Sequence, residues 1–260
     1  MAARSTSTID VQELDAKVKE MYRLVAEHPE GEYHFELGRR VAERLGYPGD
    51  VLDRIPAGAI ESFAGVGYFF DLARLDPGES VLDLGSGSGM DVFFAADRVG
   101  PGGRVIGVDF SAEQLEKARG IARDRGIDHI ELREGRIESP PVDDASVDCV
   151  ISNGVINLSP DKERVFREAA RVLRPGGRIA IADIVSEQQL KESIVCDADL
   201  WASCIAGAAQ EDTYRQAIEA AGLCVKDIRR NTYEFISPRA RRASVKYGVK
   251  SISLLARKER

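Results

Sequence analysis

One stretch constrains this chain more than any other: Val81-Leu-Asp-Leu-Gly-Ser-Gly-Ser-Gly89, an apolar run that ends in three closely spaced glycines. Leu82 and Leu84 read as part of a buried parallel strand. Gly85, Gly87 and Gly89 remove three side chains from one short turn, which permits positive φ and lets a ligand lie against bare backbone. A second apolar run, Val105-Ile-Gly-Val-Asp109, ends in an acid 20 residues beyond Gly89. A carboxylate in that place can take two ribose hydroxyls.

The dinucleotide fingerprint Gly-x-Gly-x-x-Gly/Ala does not fit. Counted from Gly85 its last position is Met90, and the third glycine comes one residue early, at Gly89. Asp83 also stands in the strand end. A carboxylate there repels a pyrophosphate and suits a ligand with an amino group and a sulfonium. S-adenosyl-L-methionine carries both and is the expected cofactor, with S-adenosyl-L-homocysteine as product. A nicotinamide cofactor and a ligand-free glycine turn are the alternatives.

The 260 residues suffice for one large domain or a domain with a cap, and 43% hydrophobic residues can bury a sizeable core. A net charge of −7 argues against general nucleic-acid binding. Residues 237–260 nevertheless hold eight basic residues and one acid, Glu259. These read as a solvated face around a final strand, or as a site for an anionic substrate group. No apolar signal core or membrane span is visible, and four cysteines form no disulfide framework. The protein is expected in the cytoplasm, with reduced thiols, as a monomer or homodimer, with no metal.

Helical periodicity over 10–45, broken at His28-Pro29-Glu30-Gly31, and a helix over Ala59–Leu75 predict an N-terminal helical cap, residues 1–75. Gly65 and Gly67 weaken that last helix and favour a bend near the ligand. From Asp76 strands at 80–84, 104–109, 129–133, 147–152 and 177–184 alternate with helices at 90–99, 112–125 and 161–173. Ser111 is a plausible N-cap for the second of these helices. Such alternation specifies a mainly parallel, doubly wound α/β sheet over 76–260. Residues 186–222 are expected to form a helical lid insertion. Strands near 224–229 and 249–256 should finish the sheet, with the segment from Val245 as an edge hairpin arm.

The glycine loop, Asp109, Ser152-Asn153 and Arg174-Pro-Gly-Gly177 together resemble a class I S-adenosylmethionine-dependent methyltransferase over 76–185. More narrowly, Gly107-Val-Asp-Phe-Ser, the run Ile151–Lys162 and Cys204-Ile-Ala-Gly-Ala208 resemble the arsenite methyltransferase family. The resemblance implies a seven-stranded Rossmann-like sheet with its last strand antiparallel. It implies that Asp83 and Gly85, Ser86, Gly87 and Gly89 face the methionine part of the cofactor. Asp109 would take the ribose, Phe110 would cover the adenine, and Gln114 would rim the ribose pocket. Arg136 and Ile137 would occupy the adenine edge, where the family commonly has an acid; here Glu138 is two residues on. Asn153 and Val155 would line the route to the methyl group, although Asn153 can also cap a turn.

The substrate side departs from that family, which grips trivalent arsenic with cysteine thiolates, a soft ligand for a soft centre. Two of the expected cysteines are replaced, by Val66 and Gly154; Cys204 remains, with Cys196 eight residues earlier on the same face of a continuous helix. Cys149 and Cys224 read as ordinary structural thiols. The leading reading is methyl transfer to a small organic molecule with oxygen, nitrogen or carbon as acceptor. The others are a thiophilic substrate held by Cys204 and Cys196, and a cofactor-binding protein that transfers no methyl. His34, Tyr68 and Cys204 are the candidate catalytic residues, the first two as bases, ahead of Tyr22 and Tyr33. Tyr68, Phe69, Phe70 and Trp201 suggest an aromatic pocket.

Overall fold

The computed structural model describes residues 11–33, 35–195, 201 and 205–259. Five helices, α1 (Val11–Glu27), α2 (Arg39–Leu45), α3 (Gly49–Leu52), α4 (Ala57–Glu61) and α5 (Phe70–Ala73), precede the sheet among these residues. Strands and helices then alternate: β1 (Ser80–Leu84), α6 (Met90–Val99), β2 (Arg104–Asp109), α7 (Ala112–Asp124), β3 (Ile130–Glu134), β4 (Val147–Asn153), α8 (Lys162–Val172) and β5 (Leu173–Ser186). After α9 (Glu192–Val195) come β6 (Ala209–Gln210), α10 (Glu211–Ala220), β7 (Leu223–Arg230), α11 (Pro238–Tyr247) and β8 (Lys250–Lys258).

The sheet order is β3-β2-β1-β4-β5-β8-β7, with the two-residue β6 paired to the end of β5. All pairings are parallel except those of β8, which runs antiparallel to β5 and β7. This is the expected α/β sheet with its last strand antiparallel. Strand order reverses between β1 and β4, and ligands bind outside the carboxyl ends at such a point. Asp109 and Asn153 close β2 and β4 there, and Asp83 is the last residue but one of β1.

Alternation along the strands divides the apolar residues between two cores, one on each face of the sheet. Leu82, Leu84, Ile106 and Val108 meet Phe166 of α8 and Ile218 of α10. Val81, Val105, Cys149 and Ile151 meet α6 and the N-terminal helices. Full burial of Leu82 and Leu84 stabilises the fold by about 1.5–3 kcal/mol each at most. Asp83, odd-numbered like Val81, points to the face that carries α6. The start of β1 is pinned by Arg178 of β5, whose guanidinium makes a bidentate pair with Glu79 at 2.8 and 2.6 Å and donates to the carbonyl of Arg74. Below the carboxyl end of β4, buried Asp183 accepts from Asn157 and from the Tyr214 hydroxyl, both at 2.6 Å. That clamp fixes the single helical turn at Ile156–Leu158.

Ser111 caps α7 by accepting from the Gln114 amide. Two expectations change. Residues 59–75 form no continuous helix: the chain is extended between α4 and α5. A β-carbon at Gly65 would stand 2.7 Å from Asn153 Nδ2, and one at Gly67 would stand 2.8 Å from Ala182 Cβ. The backbone lies flat against the sheet there, which a helix could not do. The final segment is no edge hairpin arm: 238–247 is helical, and β8 lies inside the sheet between β5 and β7, with Leu254 and Ala256 fully buried. Within 186–222 the described chain is helical only in α9, α10 and at Trp201, with β6 between.

Candidate functional site

At the carboxyl ends of β1, β2 and β4 lies a cavity of two adjoining lobes, of about 680 and 470 Å3 and open to solvent. Both lobes are lined by Gly85, Asp109, Phe110, Val155 and Leu158. The first lobe also takes in Asp83, Ser86, Gly87, Gly89, Gln114 and Asn153; the second takes in Arg136 and Ile137. The twelve residues expected to hold the cofactor are therefore brought to one place.

The glycine turn behaves as its spacing demands. Gly85, Gly87 and Gly89 all have positive φ, at 77°, 52° and 92°. A β-carbon at Gly87 would meet nothing nearer than Gln114 Oε1 at 3.7 Å, so this backbone borders open space. The Ser86 hydroxyl is buried without a hydrogen-bond partner among the described residues, a polar atom that a ligand could satisfy. Asp109 is oriented by the amides of Gly87 and Ser111, each 2.9 Å from one of its oxygens. Burial holds its carboxyl above the usual range, against the pull of those amides. A cradle of bare backbone edged by buried acids matches a cationic adenosine derivative such as S-adenosylmethionine.

The N-terminal helices supply the outer wall. Tyr22 of α1, Ala59 of α4 and Phe63 to Gly65 face the first lobe; Leu14, Asp15 and Val18 of α1 face the second. Side-chain tethers hold α1 in place. Gln114 Nε2 donates to the Tyr22 carbonyl at 2.7 Å, and the Arg136 guanidinium pairs with both oxygens of Asp15 at 2.7 and 3.1 Å. Glu138, which accepts from Ser159 Oγ at 2.6 Å, also lines the second lobe. Asp15 and Glu138 thus place carboxylates at the end of the cavity where the sequence itself offers Arg136.

Asn153 ties wall to floor. Its Oδ1 accepts from the amides of Val66 and Gly67 at 2.8 and 3.3 Å. Its Nδ2 lies 3.0 Å from both the Tyr47 hydroxyl and Asp91 Oδ2, and Tyr47 donates to Asp91 Oδ1 at 2.6 Å. Sequence reasoning missed Tyr47 and Asp91. An acid in the first turn of the helix after the glycine loop is a visible signal for Asp91. Nothing local marks Tyr47, whose ring is buried among Phe63, Tyr68, Phe70 and Phe94.

Of the candidate catalytic residues His34, Tyr68 and Cys204, Tyr68 alone lies among the described residues. Tyr68 borders a separate surface hollow with Asp71, Arg74 and Arg98, away from the cavity. Phe69 and Phe70 are buried in the core beside it. Tyr33 lines another groove with Phe35 and Ile236. His34, Cys196 and Cys204 lie outside the described residues. Cys149 is a core thiol in β4, pushed up to about 12 by burial, and so inert. Cys224 is partly buried, with Lys226 Nζ 3.1 Å from its sulfur. Arg239, Arg241, Arg242 and Lys246 are exposed on α11 and do not line the cavity.

A methyltransferase-domain family model matches residues 75–222. The arsenite methyltransferase of Halobacterium salinarum is 43% identical over 198 residues, covering 75% of this chain and 50% of that protein. Nocamycin O-methyltransferase of Saccharothrix syringae is 37% identical over 149 residues, covering 55% of this chain and 52% of that protein. The crystal structure of CrArsM, an arsenic(III) S-adenosylmethionine methyltransferase from Chlamydomonas reinhardtii, shares 31% identity with a TM-score of 0.63, over 86% of this chain and 74% of that one. The chain spans about half the length of the curated relatives it matches. With a glycine cradle at the β1–β4 reversal and these likenesses in agreement, the chain belongs to the class I S-adenosylmethionine-dependent methyltransferases and resembles the arsenite methyltransferase family within them.

Proposed function

We propose that this protein methylates a small organic molecule at oxygen, nitrogen or carbon. The observation that carries this reading is the packing of Val66 against Gly154, the two positions where the resemblance expects arsenic-binding thiols. A β-carbon at Gly154 would stand 3.1 Å from Val66 Cγ1, and Val66 is buried outside the cavity lining. That spot is a closed apolar contact with no soft ligand to offer trivalent arsenic. The described lining of the first lobe instead presents Tyr22, Phe63, Ala64 and Leu158, which suit an organic acceptor.

The bound cofactor would supply a methyl group activated on a sulfonium, so the chain need not activate it. Its own task is alignment and exclusion of water for an in-line displacement. Asp109 and the Gly87 backbone orient the donor, and α1 with residues 62–65 covers it. Among the described residues, Asp83, Asp91, Asp109 and Tyr22 are the titratable groups that line the first lobe. An acceptor that must lose a proton has these groups or solvent to receive it.

The 43% identity with an arsenite methyltransferase favours a second reading, a thiophilic substrate held by Cys204 and Cys196. One screen separates the two. Formation of S-adenosylhomocysteine is followed with phenols, amines, prenyl compounds, and arsenite plus thiol. The organic reading predicts turnover with one of the organic classes, unchanged in Cys196→Ser and Cys204→Ser. Turnover with arsenite alone, abolished by either substitution, overturns it. Cofactor binding with no S-adenosylhomocysteine formed from any acceptor would favour a non-methylating role.

A further inference from the structure

The first lobe of the cavity is acidic without internal compensation. Asp83 of β1, Asp91 of α6 and Asp109 of β2 all line it, and all are buried, at 2%, 5% and 7% exposure. No lysine, arginine or histidine is found among its described lining residues. Among the described residues that line the adjoining lobe the one basic group, Arg136, is paired with Asp15 and faces Glu138 at 3.4 Å. Buried carboxylates are tolerated when hydrogen-bonded or paired. Asp109 has the two amides described above. Asp91 has the Tyr47 hydroxyl and Asn153 Nδ2, which fix it at the first turn of α6. Asp83 sits in the field of both.

We infer that Asp91, held in place by Tyr47 and Asn153, is a specificity residue that makes this site prefer the cationic methyl donor over its neutral-sulfur product. The inference rests on the methyl-donor reading of the cavity. S-adenosylmethionine and S-adenosylhomocysteine both carry an ammonium and a carboxylate on the amino-acid end. They differ by one methyl group and one positive charge at sulfur. The amino-acid end that both ligands share is zwitterionic and brings no net charge. The buried acids need net positive charge, and only the sulfonium of the donor brings it. Methyl transfer removes that charge, so the product meets a cavity that again has an excess of carboxylate.

The titration of the pair gives this an observable sign. Burial pushes Asp91 up to about 6, although its hydrogen bonds from Tyr47 and Asn153 pull it down. Burial first, and then the charges of Asp91 and Asp109, raise Asp83 well above the usual carboxylate range. Tyr47 is pushed well above an ordinary phenol by burial and remains a donor throughout. The remaining titratable group in the lobe, Tyr22, comes from α1. In the ligand-free protein the acid pair therefore retains a proton into the neutral range. A bound cation favours the ionised form, so donor binding expels that proton and tightens as pH rises. Product binding, with one positive charge fewer, gains less.

Isothermal titration of the full chain with S-adenosylmethionine and with S-adenosylhomocysteine tests this, in two buffers of different ionisation enthalpy. The ratio of product Kd to donor Kd should rise roughly tenfold between about pH 5.5 and about pH 7.5. More protons should be released per donor bound than per product bound. Asp91→Asn should flatten the rise and lower the ratio roughly tenfold at neutral pH. Tyr47→Phe keeps the carboxylate but removes its donor, and should move the rise to higher pH. The wild-type measurement decides the matter even where a variant fails to fold. A ratio independent of pH, with both ligands bound, overturns this inference and leaves the donor reading standing. Binding of neither ligand overturns both.

Discussion

The floor of the cavity and its outer wall are assembled differently. The floor comes from residues 83–91 and 109–114, each joined directly to the strand that carries it. The wall comes from α1, α4 and residues 62–65, and it meets the floor through contacts such as Gln114 to Tyr22, 92 residues apart. The floor is held by backbone: positive φ at three glycines and amides that orient Asp109. The wall is held by side chains, Asn153 to residues 66–67 and Arg136 to Asp15. In the floor, local geometry leaves few choices. Substrate choice is open to change in the wall, where a tether can be kept while the lining changes.

Substitutions should separate the halves. Gly87→Val is expected to have the largest effect, abolishing calorimetric binding of the donor. It forces a β-branched residue to a φ of 52° and fills the space where the ligand would lie. Retained binding, with a native circular-dichroism spectrum, would break the model of the floor. Asp109→Ala should weaken donor binding by about 1–3 kcal/mol, since it removes charge-assisted hydrogen bonds. Equal donor affinity in wild type and variant would remove Asp109 from the ribose position.

Asn153→Ala acts on the junction. It leaves the amides of Val66 and Gly67 without their acceptor, and should lower stability by about 1–2 kcal/mol in thermal melts. Acceptor KM should rise while donor affinity changes less, and an effect confined to donor binding would assign Asn153 to the floor alone. Asp15→Ala should have the smallest effect. The Arg136–Asp15 pair is partly exposed, at 45% and 35%, so its loss should cost less than about 1 kcal/mol of donor affinity. A larger loss would make α1 a main determinant of cofactor binding rather than a cover.

The strands and helices from Ser80 to Leu173 were legible because each carries its own signal. Val81-Leu-Asp-Leu before glycine, Ser111 as a cap and Asp109 at a strand end depend on neighbours a few residues away. Residues 59–75 misled, because their apolar spacing fits a helix as well as an extended strip between two helical turns. Contact of Gly65 and Gly67 with β4 and β5 decided the matter, and periodicity carries no trace of it. The same extended path turned Tyr68 away from the cavity that its place in the sequence suggested. β8 was legible as a strand but not as an inner one, since strand order depends on how β7 folds back.

By itself the sequence determined the sheet, the glycine cradle and the acid at Asp109, because positive φ, strand period and capping act over short range. Only the tertiary structure decided that Asp83, Asp91 and Asp109 share one lobe, that Tyr47 and Asn153 hold the second of these, and that α1 borders both lobes. Those facts depend on contacts between residues far apart in the chain, whose partners are chosen by packing and charge once the sheet has formed.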